Sequence, residues 1–346
     1  MDCASLLEAP YLLLGKKLAE NLTISVVIPV FNGAETVPSL INMLEKISIP
    51  GGMEVILVND GSEDDSAQIC DSLVETSTLP ITFIDLARNF GEHNAVLTGL
   101  RYARGDYVIT MDDDLQQPAD EISKLHAYAQ ENDLDAVFGA FDERKYAPWR
   151  NFGGWLADKT SNLLLDKPHG LTLSSFRCLS QRLVGELAAY NGPYPYIEGM
   201  ILKNTSHVAS ITVTHLERTI GNSNYTLRKL VRLWMHILFN FSIQPLRISM
   251  IIGLGLFGLS SLGAAYVVLD YFMSGAVAPG WASLMIVMLV FFGLQFIFLG
   301  LIGEYTGRTF MSIGTLPQSS IRRIKTSGSD VSPENGHADT PDTQER

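Results

Sequence analysis

The sequence has little cysteine and no excess of positive charge. Its three cysteines, Cys3, Cys70 and Cys178, lie far apart among 346 residues. That spacing matches neither a cysteine-based metal site nor a disulfide framework, and it favours a reducing compartment. The 25 Lys and Arg residues are outnumbered by 37 Asp and Glu residues, for a net charge of −12. This balance argues against general nucleic-acid binding, so no nucleic-acid partner is expected.

The N-terminal segment lacks the features of a secretory signal peptide. Asp2 and Glu8 precede a short apolar run at 11–14, whereas a signal peptide needs a positively charged start and a longer apolar core. Residues 1–21 are therefore predicted to form an amphipathic segment that lies on the protein or on a membrane surface.

Between residue 23 and about residue 140, apolar runs of strand length alternate with stretches of helical period. This alternation predicts an α/β domain with a largely parallel sheet. The predicted strands are 23–30, 54–58, 81–86, 106–111 and 135–139. The predicted helices are 36–47, a helix from 62 or 64 to 74, 92–103 and 119–131.

Four stretches that contain polar residues lie at the carboxyl ends of predicted strands, at 29–32, 59–62, 88–91 and 112–116. In sheets of this kind, ligands bind beyond the carboxyl ends of the strands. We therefore expect the four stretches to converge on one edge of the sheet and to form a binding site there.

The most acidic of these stretches is Asp112-Asp113-Asp114, which is followed by Leu115 and Gln116. Adjacent carboxylates repel one another unless a cation lies among them. Side chains alternate along an extended chain, so Asp112, Asp114 and Gln116 are expected on one side and Asp113 on the other. Oxygen ligands suit Mg²⁺ or Mn²⁺, and Mg²⁺ is usually held by one or two carboxylates plus substrate phosphates. A solvated acidic turn remains the alternative for this motif alone.

Two long runs, 248–269 and 281–303, contain no charged side chain. At about 1.5 Å per residue, each is long enough to cross a hydrocarbon core of about 30 Å as a helix. Basic residues precede the first run and follow the second, while the connector at 270–280 has no Lys or Arg. The positive-inside rule then predicts a multi-pass protein of the inner membrane, with the α/β domain in the cytoplasm.

Two further segments flank these runs. Residues 224–247 are predicted to form a basic juxtamembrane amphipathic helix, which suits an anionic membrane surface. Residues 304–346 are predicted to form a cytoplasmic tail that is polar and disordered from about residue 326.

Five motifs, taken together and in order, resemble those of the family-2 glycosyltransferases. With the two uncharged runs, the chain looks like the polyprenyl-phosphate branch, which includes dolichyl-phosphate mannose synthases, the GtrB type and undecaprenyl-phosphate aminoarabinose transferases. The resemblance covers roughly residues 22–310. It implies a GT-A (Rossmann-like) nucleotide-sugar domain at 22–223, followed by amphipathic interface helices and two transmembrane helices within 248–303. The motifs are Val27–Asn32, Asn59–Ser62, Arg88–Gly91, Asp112–Gln116 and Gly303–Arg308.

This resemblance implies a site for the donor nucleotide and its metal at the strand ends. Asp114 and Gln116 would hold Mg²⁺ or Mn²⁺. A nucleoside diphosphate leaves as an anion, and a metal that neutralises it lowers the barrier. The nucleotide-binding residues implied are Pro29, Phe31, Asn32, Glu35, Asp60, Asn89, Asp112 and Asp113.

The resemblance also implies a second anion site, for the phosphate of the acceptor. Arg218 matches an arginine that grips this phosphate, and the planar fork of Arg suits phosphate geometry. Arg144 and Arg150 lie in a basic and aromatic cluster that is expected to border the same route. Asp112, Asp114 and Arg218 would then be the catalytic residues.

The sequence departs from the family pattern in three places. Gly33 stands where many relatives carry Glu, and Glu35 is the candidate to replace that carboxylate. Asn224 stands where relatives often carry Lys, and the basic cluster is the candidate to compensate. Ser174 and Ser175 stand where many relatives have an acidic residue, which favours direct attack by the lipid phosphate.

The implied activity is transfer of a sugar from a nucleotide donor, by default a UDP-sugar, to a polyprenyl (undecaprenyl) phosphate. The transfer would occur on the cytoplasmic face by metal-assisted direct displacement, in a protein whose relatives can form tetramers. A processive polysaccharide synthase is one alternative, but Gln244–Arg247 is followed by Ile248 rather than by the tryptophan of that class. A non-catalytic nucleotide-binding membrane anchor is another, and the intact acidic motif argues against it.

Overall fold

The computed structural model describes most of the α/β region and parts of the C-terminal region. The predictions for 1–21, Arg144, Arg150, Arg218 and residues 224–243 fall outside the described residues. The described residues are 22–141, 167–168, 170–192, 195–214, 216, 244–274, 280–313, 318–327 and 329–331.

The chain divides into two compact units. The first comprises Met1–Tyr146, Pro168–Ser223 and Pro317–Arg346, and the second comprises Ala147–Lys167 and Asn224–Leu316. In its described residues, the first unit is built on a nine-stranded sheet of order β7-β5-β6-β4-β1-β2-β3-β8-β9. The strands are β1 (Ile24–Val30), β2 (Met53–Asn59), β3 (Ile81–Leu86), β4 (Tyr107–Thr110), β5 (Ala136–Phe141), β6 (Arg177–Ser180), β7 (Val208–Val213), β8 (Ile321–Thr326) and β9 (Ser329–Val331).

Helices follow most of the strands of this unit, as the alternating sequence pattern predicts. They are α1 (Val37–Leu44), α2 (Ser66–Thr76), α3 (Glu92–Leu100), α4 (Glu121–Glu131), α5 (Gln181–Ala188) and α6 (Ile197–Asn204). The observed bounds lie within a few residues of the predicted ones. The α/β prediction is therefore confirmed.

The core lies on both faces of the central strands. β2 and β3 are buried along their whole length, as is typical of parallel strands covered by helices on both sides. On α1, buried residues at helical spacing form one apolar stripe that packs into this core. Burying each such side chain stabilises the fold by about 1.5–3 kcal/mol. The residues of this stripe are Val37, Leu40, Ile41 and Leu44.

The sheet is less uniformly parallel than predicted. The four central strands, β4-β1-β2-β3, are parallel, and so is the pair β5–β7. β6 runs antiparallel to both β4 and β5, and β8 runs antiparallel to both β3 and β9. Antiparallel pairs need no crossover helix, so the strand–helix alternation that predicted a parallel sheet gave no signal for them.

The expected C-terminal tail is corrected by β8 and β9. Ile321–Thr326 pairs with β3, and Ser329–Val331 pairs with β8, so residues predicted as a tail belong to the sheet. The basic residues Arg322, Arg323 and Lys325 had indicated a cytoplasmic flank of the second uncharged run rather than a strand. Lys325 binds the carboxylates of Asp71 and Glu75 at 3.1 and 2.8 Å, which accounts for charge at this sheet edge.

The second unit contains two long helices over the two uncharged runs. These are α7 (Gln244–Ser274) and α8 (Trp281–Ile313), of 31 and 33 residues. The helical character predicted for both runs is therefore confirmed. Within the part of the chain that is described, however, no helix meets the length and apolarity needed to cross a membrane. The transmembrane prediction for 248–269 and 281–303 is not confirmed.

Candidate active site

Hydrogen bonds join the polar stretches that follow β1, β2, β3 and β4. The first of these links connects the turns after β1 and β2. Asn32 has the left-handed backbone angle φ 54°, which Asn tolerates better than most residues. Its N–H donates to Ser62 Oγ at 3.0 Å, and its Oδ1 accepts the N–H of Glu63 at 2.9 Å. Asn32 therefore holds the two turns together, and the predicted convergence is confirmed at this point.

A second link connects the turns after β2 and β3. Asp60 is only 3% exposed, and its two carboxylate oxygens accept the N–H groups of Phe90 and Gly91 at 2.7 and 2.8 Å. Gly61, at φ 62°, lies so close to Arg88 that a Cβ would come within 2.4 Å of backbone carbon. Burial raises the pKa of Asp60, although both N–H bonds oppose that effect. The structure gives Asp60 a clear role in shaping the 88–91 loop, while its contact with nucleotide stays a prediction.

The first aspartate of the acidic motif is held on the side of β6. Asp112 Oδ2 accepts hydrogen bonds from Ser175 Oγ at 2.7 Å and from Gln117 Nε2 at 2.8 Å. The N–H of Asp112 donates to Gln117 Oε1 at 3.0 Å, so one buried amide binds both backbone and side chain. Burial raises the pKa of Asp112, and the Ser175 hydroxyl acts in the opposite direction.

The second aspartate turns towards β1. Asp113 Oδ2 accepts the backbone N–H of Phe31 at 3.3 Å. Burial, reinforced by the charges of Asp112 and Asp114, raises the pKa of Asp113 to about 7, although the Phe31 N–H opposes the shift. The predicted separation of Asp112 and Asp113 to opposite sides is confirmed. Burial is the main cause of both raised pKa values, and the neighbouring aspartates add to it, whereas a cation bound among them would act in the opposite direction.

The alternation argument fails beyond Asp114. Leu115 adopts φ 62°, so the chain is not extended there and the side of Gln116 cannot be deduced from strand periodicity. Asp114 Oδ1 accepts the N–H of Gln116 at 3.1 Å. Gln116 also pairs with Leu216, whose N–H donates to the Gln116 carbonyl at 2.9 Å. This contact joins the acidic motif to the segment that directly precedes Arg218 in sequence.

Other predicted nucleotide residues lie at the open side of the same edge. Phe31, which directly follows β1, is 49% exposed, and an exposed aromatic ring at this edge suits stacking on a base. Glu35 and Asn89 are also exposed, and Pro29 is half-buried. Across the described residues, no three His, Cys, Asp or Glu side chains form a complete metal site.

Residues 25–184 match the family described as glycosyl transferase family 2. An undecaprenyl-phosphate 4-deoxy-4-formamido-L-arabinose transferase of Pseudomonas savastanoi pv. phaseolicola is 32% identical over 316 residues, covering 89% of this chain and 92% of the relative. The chain belongs to glycosyl transferase family 2. The resemblance seen in the sequence is thereby confirmed, and the protein is a family-2 glycosyltransferase.

Further relatives agree with this assignment. A transferase of the same description from Shewanella sediminis is 30% identical over 324 residues, covering 90% of this glycosyltransferase and 96% of the relative. Among solved structures, glucosyl-3-phosphoglycerate synthase from Mycobacterium tuberculosis, in complex with Mn²⁺, UDP-glucose and phosphoglyceric acid, aligns with a TM-score of 0.48 and 18% identity. That alignment covers 62% of this chain and 77% of that one. Similarity at this level supports no inference about ligands.

Sequence reasoning missed three buried residues behind the acidic motif of this glycosyltransferase. Arg177, 1% exposed, donates to Glu198 Oε1 at 2.7 Å and to Thr110 Oγ1 at 3.0 Å. Thr110 in turn donates to the carbonyl of Ser175, whose hydroxyl binds Asp112. The third missed residue is Gln117, described above. The available signal for Arg177 was a charged residue between the apolar residues Phe176 and Cys178, because buried charge is retained only when paired.

Proposed function

We propose that this family-2 glycosyltransferase transfers a sugar from a nucleotide donor to a polyprenyl phosphate, undecaprenyl phosphate in the simplest case. The observation that carries the proposal is the acidic motif at the carboxyl end of β4, held between the ends of β1 and β6. Relatives along most of the chain, which are described as undecaprenyl-phosphate 4-deoxy-4-formamido-L-arabinose transferases, support the acceptor class.

The donor nucleotide fits the exposed side of this edge. Phe31 offers an aromatic face for the base, and the turns containing Asn32 and Asn89 border it. Asp112 and Asp113 lie deeper and approach the ribose or diphosphate in this proposal. We take a UDP-sugar as the default donor.

A divalent cation fits the same motif. Mg²⁺ and Mn²⁺ prefer oxygen ligands, and Mg²⁺ commonly takes only one or two protein carboxylates beside substrate phosphates. The charges of Asp112 and Asp114, which add to the effect of burial in raising the pKa of Asp113, agree with such a site. Asp114 and Gln116 would hold the ion. When bound, the metal would neutralise the charge that develops on the leaving diphosphate.

The reaction is a direct displacement at the anomeric carbon of the sugar. A phosphate oxygen of the lipid forms a bond to this carbon while the bond from the carbon to the diphosphate oxygen breaks, and the nucleoside diphosphate leaves. The attacking oxygen is already anionic, so no strong general base is required. Ser175 agrees with this view because it offers no carboxylate at this position, and its hydroxyl is held by a hydrogen bond to Asp112. Arg144, Arg150 and Arg218 would bind the acceptor phosphate.

We further propose that α7 and α8 attach the enzyme to the inner membrane and that the first unit lies in the cytoplasm. The chain leaves the first unit after Ser223 and re-enters it at Pro317. Because the first unit lies on one side of the membrane in this proposal, the chain must cross an even number of times between these points. Two spans agree with that requirement. A homo-oligomer, such as the tetramer of some relatives, is part of this proposal.

The decisive experiment tests donor and acceptor together. Membranes containing the protein are incubated with a panel of radiolabelled nucleotide sugars and undecaprenyl phosphate, and the lipid fraction is then extracted. We expect one nucleotide sugar to give labelled lipid, and we expect excess chelator to abolish the signal. Labelled polymer in place of labelled lipid would instead indicate a polysaccharide synthase. If none of the sugars is transferred or hydrolysed, the catalytic proposal is wrong.

A further inference from the structure

Gly33, in the turn after β1, faces the carboxylate of Asp113. A Cβ atom on residue 33 would lie 2.3 Å from Asp113 Oδ2, 3.2 Å from Asp113 Cγ and 3.3 Å from Val37 Cγ2. The first of these distances is far inside van der Waals contact. The Asp113 carboxylate therefore occupies the volume that the side chain of any other residue at position 33 would need.

The backbone of Gly33 is fixed on both sides. Its N–H donates to Ser66 Oγ at 2.9 Å, and Ser66 is itself held by Asp64 Oδ1. The Gly33 carbonyl accepts the N–H groups of Thr36 and Val37 at 3.1 and 3.0 Å, at the start of α1. Gly33 is also buried. A larger residue could not move outward without breaking these bonds, so the carboxylate of Asp113 would have to yield instead.

The atom that would be displaced is the one that orients Asp113. Asp113 Oδ2 accepts the N–H of Phe31, and this bond holds the carboxylate against the end of β1. Moving Oδ2 away from Gly33 would break this hydrogen bond and rotate the Asp113 carboxylate away from the end of β1. Phe31 and Asp113 are both proposed to contact the donor, so the effect would reach the nucleotide.

We propose that Gly33 is a positioning residue: its missing side chain is what allows the Asp113 carboxylate to lie at the end of β1, where it meets the donor. The inference rests on the proposed function, in which Asp113 contacts the nucleotide. It assigns to residue 33 an effect that passes through Asp113 and through no other group.

A double-mutant cycle tests this coupling. The full-length protein in detergent is prepared as wild type, Gly33→Ala, Asp113→Ala and the double variant, and UDP binding in the presence of Mn²⁺ is measured by calorimetry. Losing a hydrogen bond to a charged group lowers affinity by about tenfold or more, and we expect this loss in both single variants. In the Asp113→Ala background, Gly33→Ala should have almost no further effect. Gly185→Ala, on α5, is the control, because a Cβ there meets nothing within 4 Å.

Four results would overturn the inference. Wild-type affinity in Gly33→Ala would show that Asp113 does not depend on residue 33. Losses that multiply in the double variant would show that residue 33 acts through another group. If Gly33→Ala fails to fold, a double variant that folds supports the clash with Asp113, and one that also fails assigns the clash to Val37. Wild-type affinity in Asp113→Ala would remove the inference together with the donor contact, whereas the first two results leave that contact standing.

Discussion

At the scale of single residues, Gln117 explains how a carboxylate at a sheet edge is kept in one orientation. Its amide accepts the Asp112 N–H and donates to Asp112 Oδ2, while Ser175 donates to the same oxygen. Both carboxylate bonds fall on Oδ2, so Oδ1 is presented in a defined direction. Such fixed geometry is what a site needs if the groups that bind the substrate are to be in place beforehand.

Gln117→Leu should therefore lower the free energy of unfolding more than Ser175→Ala, which removes the nearby hydroxyl. The leucine fills a similar volume but leaves the buried Asp112 N–H unpaired, which costs about 1–3 kcal/mol in stability. Ser175→Ala leaves both bonds between Gln117 and Asp112 intact and serves as the matched comparison. Urea unfolding of both variants measures the difference in free energy. A smaller loss for Gln117→Leu than for Ser175→Ala would show that the amide does not hold Asp112.

Asp114→Asn should remove the metal-dependent activity without unfolding the protein. A charged ligand to a hard cation is lost, and a bound metal stabilises transition-state charge by several kcal/mol, so transfer should fall by about 10²-fold or more. Asp120→Asn changes an exposed acid near the motif and is the control. Labelled lipid and thermal melting are measured for both variants. Near-normal transfer by Asp114→Asn would contradict the metal assignment.

These residues also show where sequence reasoning stops. Asp112 and Asp113 could be placed on opposite sides because the chain is extended there, and side-chain direction follows strand periodicity. The same rule does not hold beyond Leu115, because its left-handed backbone changes the direction of the chain and of the side chains that follow. The partners Ser175 and Glu198 lie 63 residues from Asp112 and 21 residues from Arg177 respectively, so no local pattern could have revealed them.

At the scale of secondary-structure elements, β8 is the strand that changes the picture of the fold. Residues at the start of β8 hold Ala87, which directly follows β3, by two hydrogen bonds. The Ala87 N–H donates to the Ser320 carbonyl at 2.8 Å, and the Ala87 carbonyl accepts from Arg322 Nη2 at 3.1 Å. Ala87 directly precedes the 88–91 loop that Asp60 holds from the other side. A strand from the C-terminal region thus supports a loop of the candidate site.

Breaking β8 should therefore weaken both the fold and the site. Ile324→Pro removes a backbone donor from a strand that lies between β3 and β9, where proline is poorly tolerated. We expect a lower melting temperature and weaker binding of UDP with Mn²⁺. Ile324→Val keeps the strand and is the control. If the proline variant melts and binds as the wild type does, β8 is not part of the sheet in solution.

At the scale of the whole molecule, the chain passes from the first unit into α7 and α8 and then returns to the first unit. Both ends of the helical segment therefore belong to the body that carries the acidic motif. If the helices cross a membrane, the connector between them must lie on the side opposite to the candidate site. The sequence supports the same arrangement independently, because basic residues flank the two runs and are absent from their connector.

Cysteine labelling can test this topology. In a variant with Cys3 replaced by Ser, a cysteine is introduced at Ala276 in the connector or at Ser329 in β9. An impermeant maleimide added to intact spheroplasts should label Ala276→Cys and should leave Ser329→Cys unlabelled. The parent variant controls for Cys70 and Cys178, which are buried. The reverse pattern would place the first unit outside, and labelling of neither site until the cells are lysed would exclude two crossings.

The α/β architecture, the strands that lead to the site and the family could all be predicted from the amino-acid sequence. These predictions were possible because a central strand that is buried on both faces needs a continuous apolar run, and because ligands bind at the ends of such strands. Three features became visible only in the folded structure. They are the hydrogen-bond partners of Asp112 and Asp113, the bonds from Asp60 to the 88–91 loop, and the pairing of β8 with β3. Those features depend on contacts between residues far apart in the chain. The volume that Asp113 takes beside Gly33 is one such contact, and no pattern along the sequence encodes it.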